Sequence, residues 1–382
     1  MKETVRIVIA GDLLPSGKNE KLFEEGNAQA VFGDRIIEMF RDSDYSIFNL
    51  EGPLTDTKQL MEKTGPSIKA SSASIEGIAN MGVKAVALAN NHITDFQKAG
   101  YEDTLKLLQG KNIDYLGAGY SCNIKKNLSL TIRGKRICIY NVSEFFYNAA
   151  TSDTPGVNLY DEYIVCNEIN ELKQTHDYLI VIYHGGCEEF QYPTPLLRKH
   201  FHRMADCGAD FITAQHTHCI GCFEEYNGSY LLYGQGNFLF ARMKDKKTKR
   251  GLVSEIVLSD EGTEVHNHLV CVNEEDVVRY DSAQDLDDFY HRSEELADFE
   301  TVIKKYRLFA YNQKKIKNRF LSAYRGDTVY YRILKAIAPK FFLKHVLEKY
   351  KREQLLRIGK TLESERYAED MLSVVTYMLE NK

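Results

Sequence analysis

The sequence predicts an α/β protein, and three observations carry that prediction. Short β-branched or apolar runs alternate with stretches of helical periodicity through about the first 280 residues. Several of those runs are apolar throughout, as strands buried on both faces are. Each of five such runs stops at a residue able to bind a metal ion. These are Thr4–Ala10 before Gly11-Asp12, Tyr45–Leu50 before Glu51, Val83–Ala89 before Asn90-Asn91-His92, Tyr178–Tyr183 before His184, and Phe211–Ala214 before His216 and His218.

In chain order, the first run ends with a carboxylate just past a strand, a common ligand position in α/β enzymes; a loop Asp capping a turn is the alternative. Gln29–Arg41 has helical spacing of Ala30, Val31, Ile36, Ile37 and Phe40. Pro53 pushes Gly52 out of the helical region and ends the next strand beside Glu51. Ser72–Met81 reads as a helix. Asn90–Asp95 then packs two amides, an imidazole and a carboxylate into six residues, more than an Asx-turn needs. Phe96–Gln109 is a helix with Leu105, Leu107 and Leu108 facing inward. Ile113–Leu116, Ser129–Ile132 and Arg136–Val142 are strands, 143–160 a loop, and Asp161–Lys173 a helix.

His184-Gly185-Gly186-Cys187-Glu188 follows the fourth run, and its paired glycines permit close approach of a ligand. His200 and His202 sit two apart on the helix Leu196–Cys207 and do not face each other, so neither counts as a ligand. Ile220–Tyr226 and Ser229–Tyr233 form a hairpin across Asn227-Gly228, the favoured two-residue turn. Gly236-Asn237 follows it. Leu252–Leu258 and Glu264–Val272 make another strand pair, with His266 and His268 on a solvent-facing edge.

Composition bounds the class. At 382 residues, 43% hydrophobic and 27% charged, the chain suggests one large or two medium soluble domains. No run approaches the ~20 apolar residues of a membrane span. The N-terminus enters the first strand without a signal-peptide core, which predicts a cytoplasmic protein. Eight scattered cysteines read as reduced core thiols; Cys219 and Cys222 form a lone CxxC with no second pair for a structural zinc.

The net charge of −5 hides an asymmetry: residues 301–382 hold 19 Lys+Arg against 8 Asp+Glu, a net +11, and the rest carries −16. From about Asp281 the pattern is helical, with Val302–Leu308, Val329–Ile337 and Phe341–Tyr350 as helices and Pro339 between the last two. The expected division is therefore 1–280 and 281–382. The basic region reads as a bundle packed on the acidic body. The alternative is a surface that docks on anionic lipid, peripheral to the membrane, or on an anionic polymer and its synthesis complex. Nucleic acid is not expected, because no binding motif accompanies the charge.

Taken together, Gly11-Asp12, Asn49-Leu50-Glu51-Gly52-Pro53, Asn90-Asn91-His92 with Asp95, His184-x-Gly186-x-Glu188, His216-x-His218 and Gly236-Asn237-Phe238 resemble the CapA family of bacterial poly-γ-glutamate and capsule biosynthesis proteins. That family is similar to the calcineurin-like metallophosphatases, and the resemblance covers about residues 4–260. It implies a four-layer α/β/β/α sandwich with the metal site at the strand ends. It also implies Asp12 and His218 on a first metal, Glu51 bridging, and Asn91, His184 and His216 on a second, with His92 as general acid or electrostatic clamp. Asn90, Asp95, Glu188 and Asn237 would support these ligands or touch substrate. Two positions depart from the pattern: Leu14 stands where metallophosphatases carry a His, and Gly185 where the family has a Trp.

The chemistry agrees with the residue types. Mixed His, Asp and Asn ligands suit one or two Mn, Fe or Zn ions, and a bridging carboxylate suits two-metal hydrolysis by activated water. The reading is a metal-dependent hydrolase of a phosphoester or an anionic polymer, with amide hydrolysis at the same centre as a variant. The rival is a non-catalytic metal-dependent scaffold or binding protein of a polymer-synthesis complex.

Overall fold

The computed structural model describes residues 4–63, 65–144, 148–240, 245–313 and 364–380, with 337, 353, 356 and 360. In chain order its strands are β1 (Val5–Leu14), β2 (Tyr45–Leu50), β3 (Ala85–Ala87), β4 (Asp114–Leu116), β5 (Ala118–Gly119), β6 (Asn127–Ile132), β7 (Lys135–Ser143), β8 (Gly156–Val157), β9 (Tyr178–His184), β10 (Phe211–Gln215), β11 (Phe223–Tyr226), β12 (Ser229–Leu232), β13 (Asn237–Phe240), β14 (Arg250–Leu258), β15 (Thr263–Val272) and β16 (Val278–Tyr280). Its helices are α1 (Glu20–Glu24), α2 (Ala28–Asp42), α3 (Ile75–Met81), α4 (Gln97–Gly110), α5 (Glu162–Thr175), α6 (Pro195–Asp206), α7 (Asp287–Glu295), α8 (Phe299–Asn312) and α9 (Glu365–Glu380).

Two large sheets form. The first has the order β16-β15-β14-β1-β2-β3-β4, with β13 also pairing β1; the second has the order β11-β12-β10-β9-β7-β6. Strands β1 to β4 are mutually parallel, as are β12, β10, β9 and β7, so each sheet gathers the C-terminal ends of its central strands along one edge. Alternation along β1 explains the layering. Ile7 and Ile9 point to one face and meet Ile137, Ile139, Ile180 and Ile182 of the second sheet. Val8 and Ala10 point to the other face and pack with Val31, Phe32, Ile36 and Phe40 of α2. Helices α5 and α6 cover the far side of the second sheet, where Phe201 packs edge-on to Tyr183 and stacks on Tyr233. The architecture is the four-layer α/β/β/α sandwich.

Local chemistry sets the element ends. Asn27 Oδ1, Asp161 Oδ1 and Thr194 Oγ1 accept backbone N–H groups in the first turns of α2, α5 and α6. Asn227 (φ 49°) and Gly228 (φ 83°) both take the left-handed conformation that a type I′ hairpin between β11 and β12 requires.

On α4 Leu108 is buried with Tyr101 and Thr104, and Leu105 and Leu107, half buried, pack against the same core as expected. Two expectations need correction. The 143–160 loop contains β8, paired with β5. His268 is not simply solvent-facing: its ring lies 3.2 Å from Glu255 and 3.3 Å from Tyr280.

The chain divides into two compact units. The larger comprises Met1–Met61, Ser67–Glu144 and Asn148–Asp298; the smaller holds Phe299–Lys382 with Glu62–Pro66 and Phe145–Tyr147. Helix α7 belongs to the larger, where Phe289 stacks on Phe223. In the smaller, α8 packs on α9 through Tyr311 and Tyr377, and Tyr306 donates its hydroxyl to Asp370. The expected helix Phe341–Tyr350, and all of Val329–Ile337 except Ile337, lie outside the described residues. Among the described residues no helix is long and apolar enough to cross a membrane.

Candidate metal centre

The five strand ends named from the sequence converge where the two sheets meet. β1 carries an irregularity in register at Gly11-Asp12, which re-aims Asp12 toward the second sheet. Gly11 is required there, because a Cβ would fall 2.1 Å from Gly236 O. Buried glutamines stitch the sheets beneath: Gln215 Nε2 donates to Ala10 O (3.0 Å) and Gln235 Nε2 to Ile9 O (2.9 Å).

Among the described residues, two groups of three side chains could each hold a metal ion: Asp12, Glu51 and His218, and Glu51, His184 and His216. All are buried, Glu51 belongs to both, and the ligand atoms within each group lie within 4.8 Å of one another. Glu51 Oε1 stands 3.7 Å from His218 Nε2 and 3.8 Å from His184 Nε2, and neither Glu51 oxygen has a hydrogen-bond partner. Asn91 Oδ1 lies 2.9 Å from His184 Nε2. His216 (φ 86°) and His218 (φ 55°) both hold left-handed backbone conformations, which cost of order 1–3 kcal/mol each in non-glycine residues and concentrate at ligand clamps.

The remaining named residues surround this set. His92 Nδ1 lies 2.7 Å from Asp95 Oδ2; a carboxylate only accepts, so Nδ1 carries the proton of that bond. Asp95 Oδ2 also accepts Ile68 N at 2.8 Å. Asn90 donates to Leu50 O (2.8 Å) and Asn49 Oδ1 (3.0 Å), and accepts the N–H groups of His92 and Ile93. It therefore pins the loop after β3 to the end of β2. Asn237 Oδ1 meets His218 Nδ1 at 2.9 Å. Glu188 is partly exposed, 3.9 Å from His216 Nε2.

Electrostatics follow from burial. Desolvation, with Asp12 adjacent, pushes the Glu51 carboxyl well above its usual range. Burial opposes ionisation of Asp12 too, but His218, His184 and the His216 N–H outweigh it and hold that carboxyl low. Desolvation keeps His184 neutral, the form that ligates metals. Burial works against a charged His218, yet Glu51 and Asp12 raise it to about 10. A proton on His218 thus stands where a cation would balance the same two carboxylates.

Leu14 lies fully buried in the apolar cluster with α2, so its position offers no ligand. His200 and His202 face away from the centre: His200 stacks on Tyr160 at 4.1 Å, and His202 bonds Glu224 at 2.7 Å. Cys219 and Cys222 are buried free thiols.

Three supporting residues went unassigned in the sequence. Asn49 Nδ2 donates to Asp12 Oδ1 at 2.8 Å and lies 3.4 Å from His184 Nδ1. Asn141 accepts Ala89 N and donates to Ile182 O, tying the loop after β3 to β9. Glu144 accepts Gly186 N at 2.8 Å. Asn141 left a signal, an amide inside an otherwise apolar strand, since buried amides need partners. Glu144 left none.

Residues 6–242 match the family model described as bacterial capsule synthesis protein PGA_cap. The chain is 32% identical over 235 residues to the PGA biosynthesis protein CapA of Bacillus subtilis (strain 168), covering 60% of this chain and 62% of that one. It is 26% identical over 273 residues to the capsule biosynthesis protein CapA of Bacillus anthracis, covering 69% and 66%. The chain thus spans a little under two thirds of the length of these relatives. Among solved structures, a phosphatase from Mycoplasma pneumoniae aligns with a TM-score of 0.45 at 15% identity, covering 76% of this chain and 100% of that one.

Proposed function

The chain belongs to the bacterial capsule synthesis family, and on that premise we propose that it is a metal-dependent hydrolase acting on an anionic polymer or a phosphoester. One observation carries the reading: Glu51 is wholly buried, neither of its carboxylate oxygens has a hydrogen-bond partner, and it sits between two histidines of separate strand ends. A buried carboxylate without donors is costly unless a cation compensates it.

In this reading Asp12 and His218 hold one divalent ion, His184, His216 and Asn91 hold another, and Glu51 serves both. The mixed donor set suits Mn, Fe or Zn. Such ions supply Lewis acidity and activate water for attack. His92, its ring fixed by Asp95 through Nδ1–H, would act in its imidazolium form, giving the Nε2 proton to the leaving atom and keeping the Nδ1 proton. Asn90 and Asn237 position ligands, and Glu188 faces the substrate side. A second reading, a metal-dependent binding or scaffold protein, draws support from Leu14, whose burial leaves the first ion one imidazole short of a metallophosphatase site.

Metal content by mass spectrometry, with turnover of chromogenic phosphodiester, phosphomonoester and glutamyl-amide substrates, tests the proposal. The expected result is two ions per chain and turnover that falls by ~10²- to 10⁴-fold in His92→Ala with metal retained. Metal-loaded protein with no turnover of any substrate would overturn the hydrolase and leave the binding protein.

A further inference from the structure

A cavity of about 170 Å³ opens beside the loop that carries His218. Ile220 lines it and stands two residues past His218, so chain length alone keeps the two Cα atoms within ~7 Å. The turn Lys246–Lys249 forms another wall and is fastened to the centre: Asn237 Nδ2 donates to Thr248 O (2.8 Å), and Asn237 Oδ1 meets His218 Nδ1.

Four cations line the cavity: Lys246, Lys247, Arg250 and Arg292. Asp285 and Asp288, both exposed, also line it, yet among the described residues none of the four cations makes an ion pair within 4.0 Å. The guanidiniums are held by main-chain carbonyls instead. Arg292 donates from Nε to Gly221 O (3.0 Å) and from Nη2 to Ile220 O (3.4 Å), and Arg250 from Nη2 to Asp285 O (3.2 Å). Two such bonds fix the Arg292 plane and one tethers Arg250, and both guanidiniums keep further N–H groups for the fork that carboxylates and phosphates fit. Beneath them Leu286 and Phe289 are buried and apolar.

We infer that this cavity is a subsite for a carboxylate on a short aliphatic stem, seating an acidic side chain of the polymer next to the metal centre. Its placement beside a reacting bond rests on the hydrolase proposed above; the binding itself does not. At ~30 Å³ per water the volume takes about five or six heavy atoms, which is one carboxylate with the two or three carbons that carry it, so one half of a glutarate fills it; volume alone does not exclude phosphate. The apolar surface favours a stem over inorganic phosphate.

Calorimetric titration of the full chain with glutarate, and separately with inorganic phosphate, tests this on the wild type, Lys247→Glu, Arg250→Gln and Glu51→Gln. Thermal melting checks each fold; Lys247 is exposed on its turn, so its variant is the safe one. Glutarate is expected to bind wild type and Glu51→Gln within about twofold of each other. It should bind about tenfold or more weakly to the two charge variants, the loss of one charge-assisted hydrogen bond. Absence of glutarate binding, charge variants that bind like wild type, or phosphate binding as tightly as glutarate would overturn the inference. Glutarate binding retained in a protein that hydrolyses nothing would sink the hydrolase and keep the subsite.

Discussion

Glu51, between two histidines, and Glu224, against one, are both acids within the sandwich, and they do opposite things. Glu224 accepts two bonds from Arg198 (3.1 and 2.8 Å), one from His202 (2.7 Å) and the Tyr233 hydroxyl. Burial works against its charge, but these donors outweigh that and hold its carboxyl below the usual range. Glu51 is more deeply buried, has no donor, and is pushed the other way. The protein supplies the Glu224 carboxylate with hydrogen-bond donors and leaves the Glu51 carboxylate without one. A buried acid that the fold neutralises is architecture; one that it leaves without donors, with imidazoles on both sides, is where the proposed ion would sit.

The strongest way to break this contrast is Glu51→Gln. The amide keeps the shape and removes the charge. We expect lost metal and a fall in turnover beyond the ~10- to 100-fold that outer partners of a ligand are worth. The metal-free variant should melt no lower than metal-free wild type. Unchanged metal content would make Glu51 an ordinary buried acid.

His184→Ala and His218→Ala sharpen it next. Each should remove one of the two ions in mass spectrometry while sparing the other. Loss of both ions from either variant would mean a single coupled site rather than two triads sharing Glu51.

Glu224→Gln is the mirror case. It leaves the Arg198 charge without its counter-ion, so chemical denaturation should show a loss of about 2 kcal/mol with metal content unchanged.

The smallest expected effect extends the contrast to Glu255, where His268 first and then Arg6 hold the carboxyl down at about 2, from an ordinary 4.5. A depressed carboxyl contributes stability above its unfolded pKa, and that stability is lost as pH falls through the folded value. Arg6→Ala should therefore cost up to ~1 kcal/mol at neutral pH, since the Arg6 side chain is 38% exposed. The difference from wild type should vanish by about pH 2. A difference that persists there would mean that Arg6 acts by packing and not by charge.

The candidate ligands were legible because each follows an apolar run, and the end of such a run is a local property. The sandwich layers were expected only from the family resemblance; β1 is apolar on both faces, and that Ile7 and Ile9 meet one layer and Val8 and Ala10 the other came from the fold. Asn49 and Glu144 were not legible, because their work depends on which strand end lies opposite. Asn49 precedes Glu51 by two residues, yet its amide serves Asp12, 37 positions away. The cavity beside His218 was equally hidden: Arg250 and Arg292 are surface charges in any local reading, and become a fork only when the carbonyls of Asp285, Gly221 and Ile220 hold them.

By itself, then, the sequence determined the α/β alternation, the hairpin at Asn227-Gly228, the strand ends that carry Asp12, Glu51, His184, His216 and His218, and the family. These rest on spacing, turn chemistry and residue type within short windows. Only the tertiary structure decided that strand ends from two different sheets share one carboxylate, that Leu14 turns into the core, and that Glu51 lacks donors where Glu224 has them. Register and sheet-to-sheet packing set those outcomes, and they join residues far apart in the chain, such as Gln235 and Ile9, 226 positions apart, which no local pattern encodes.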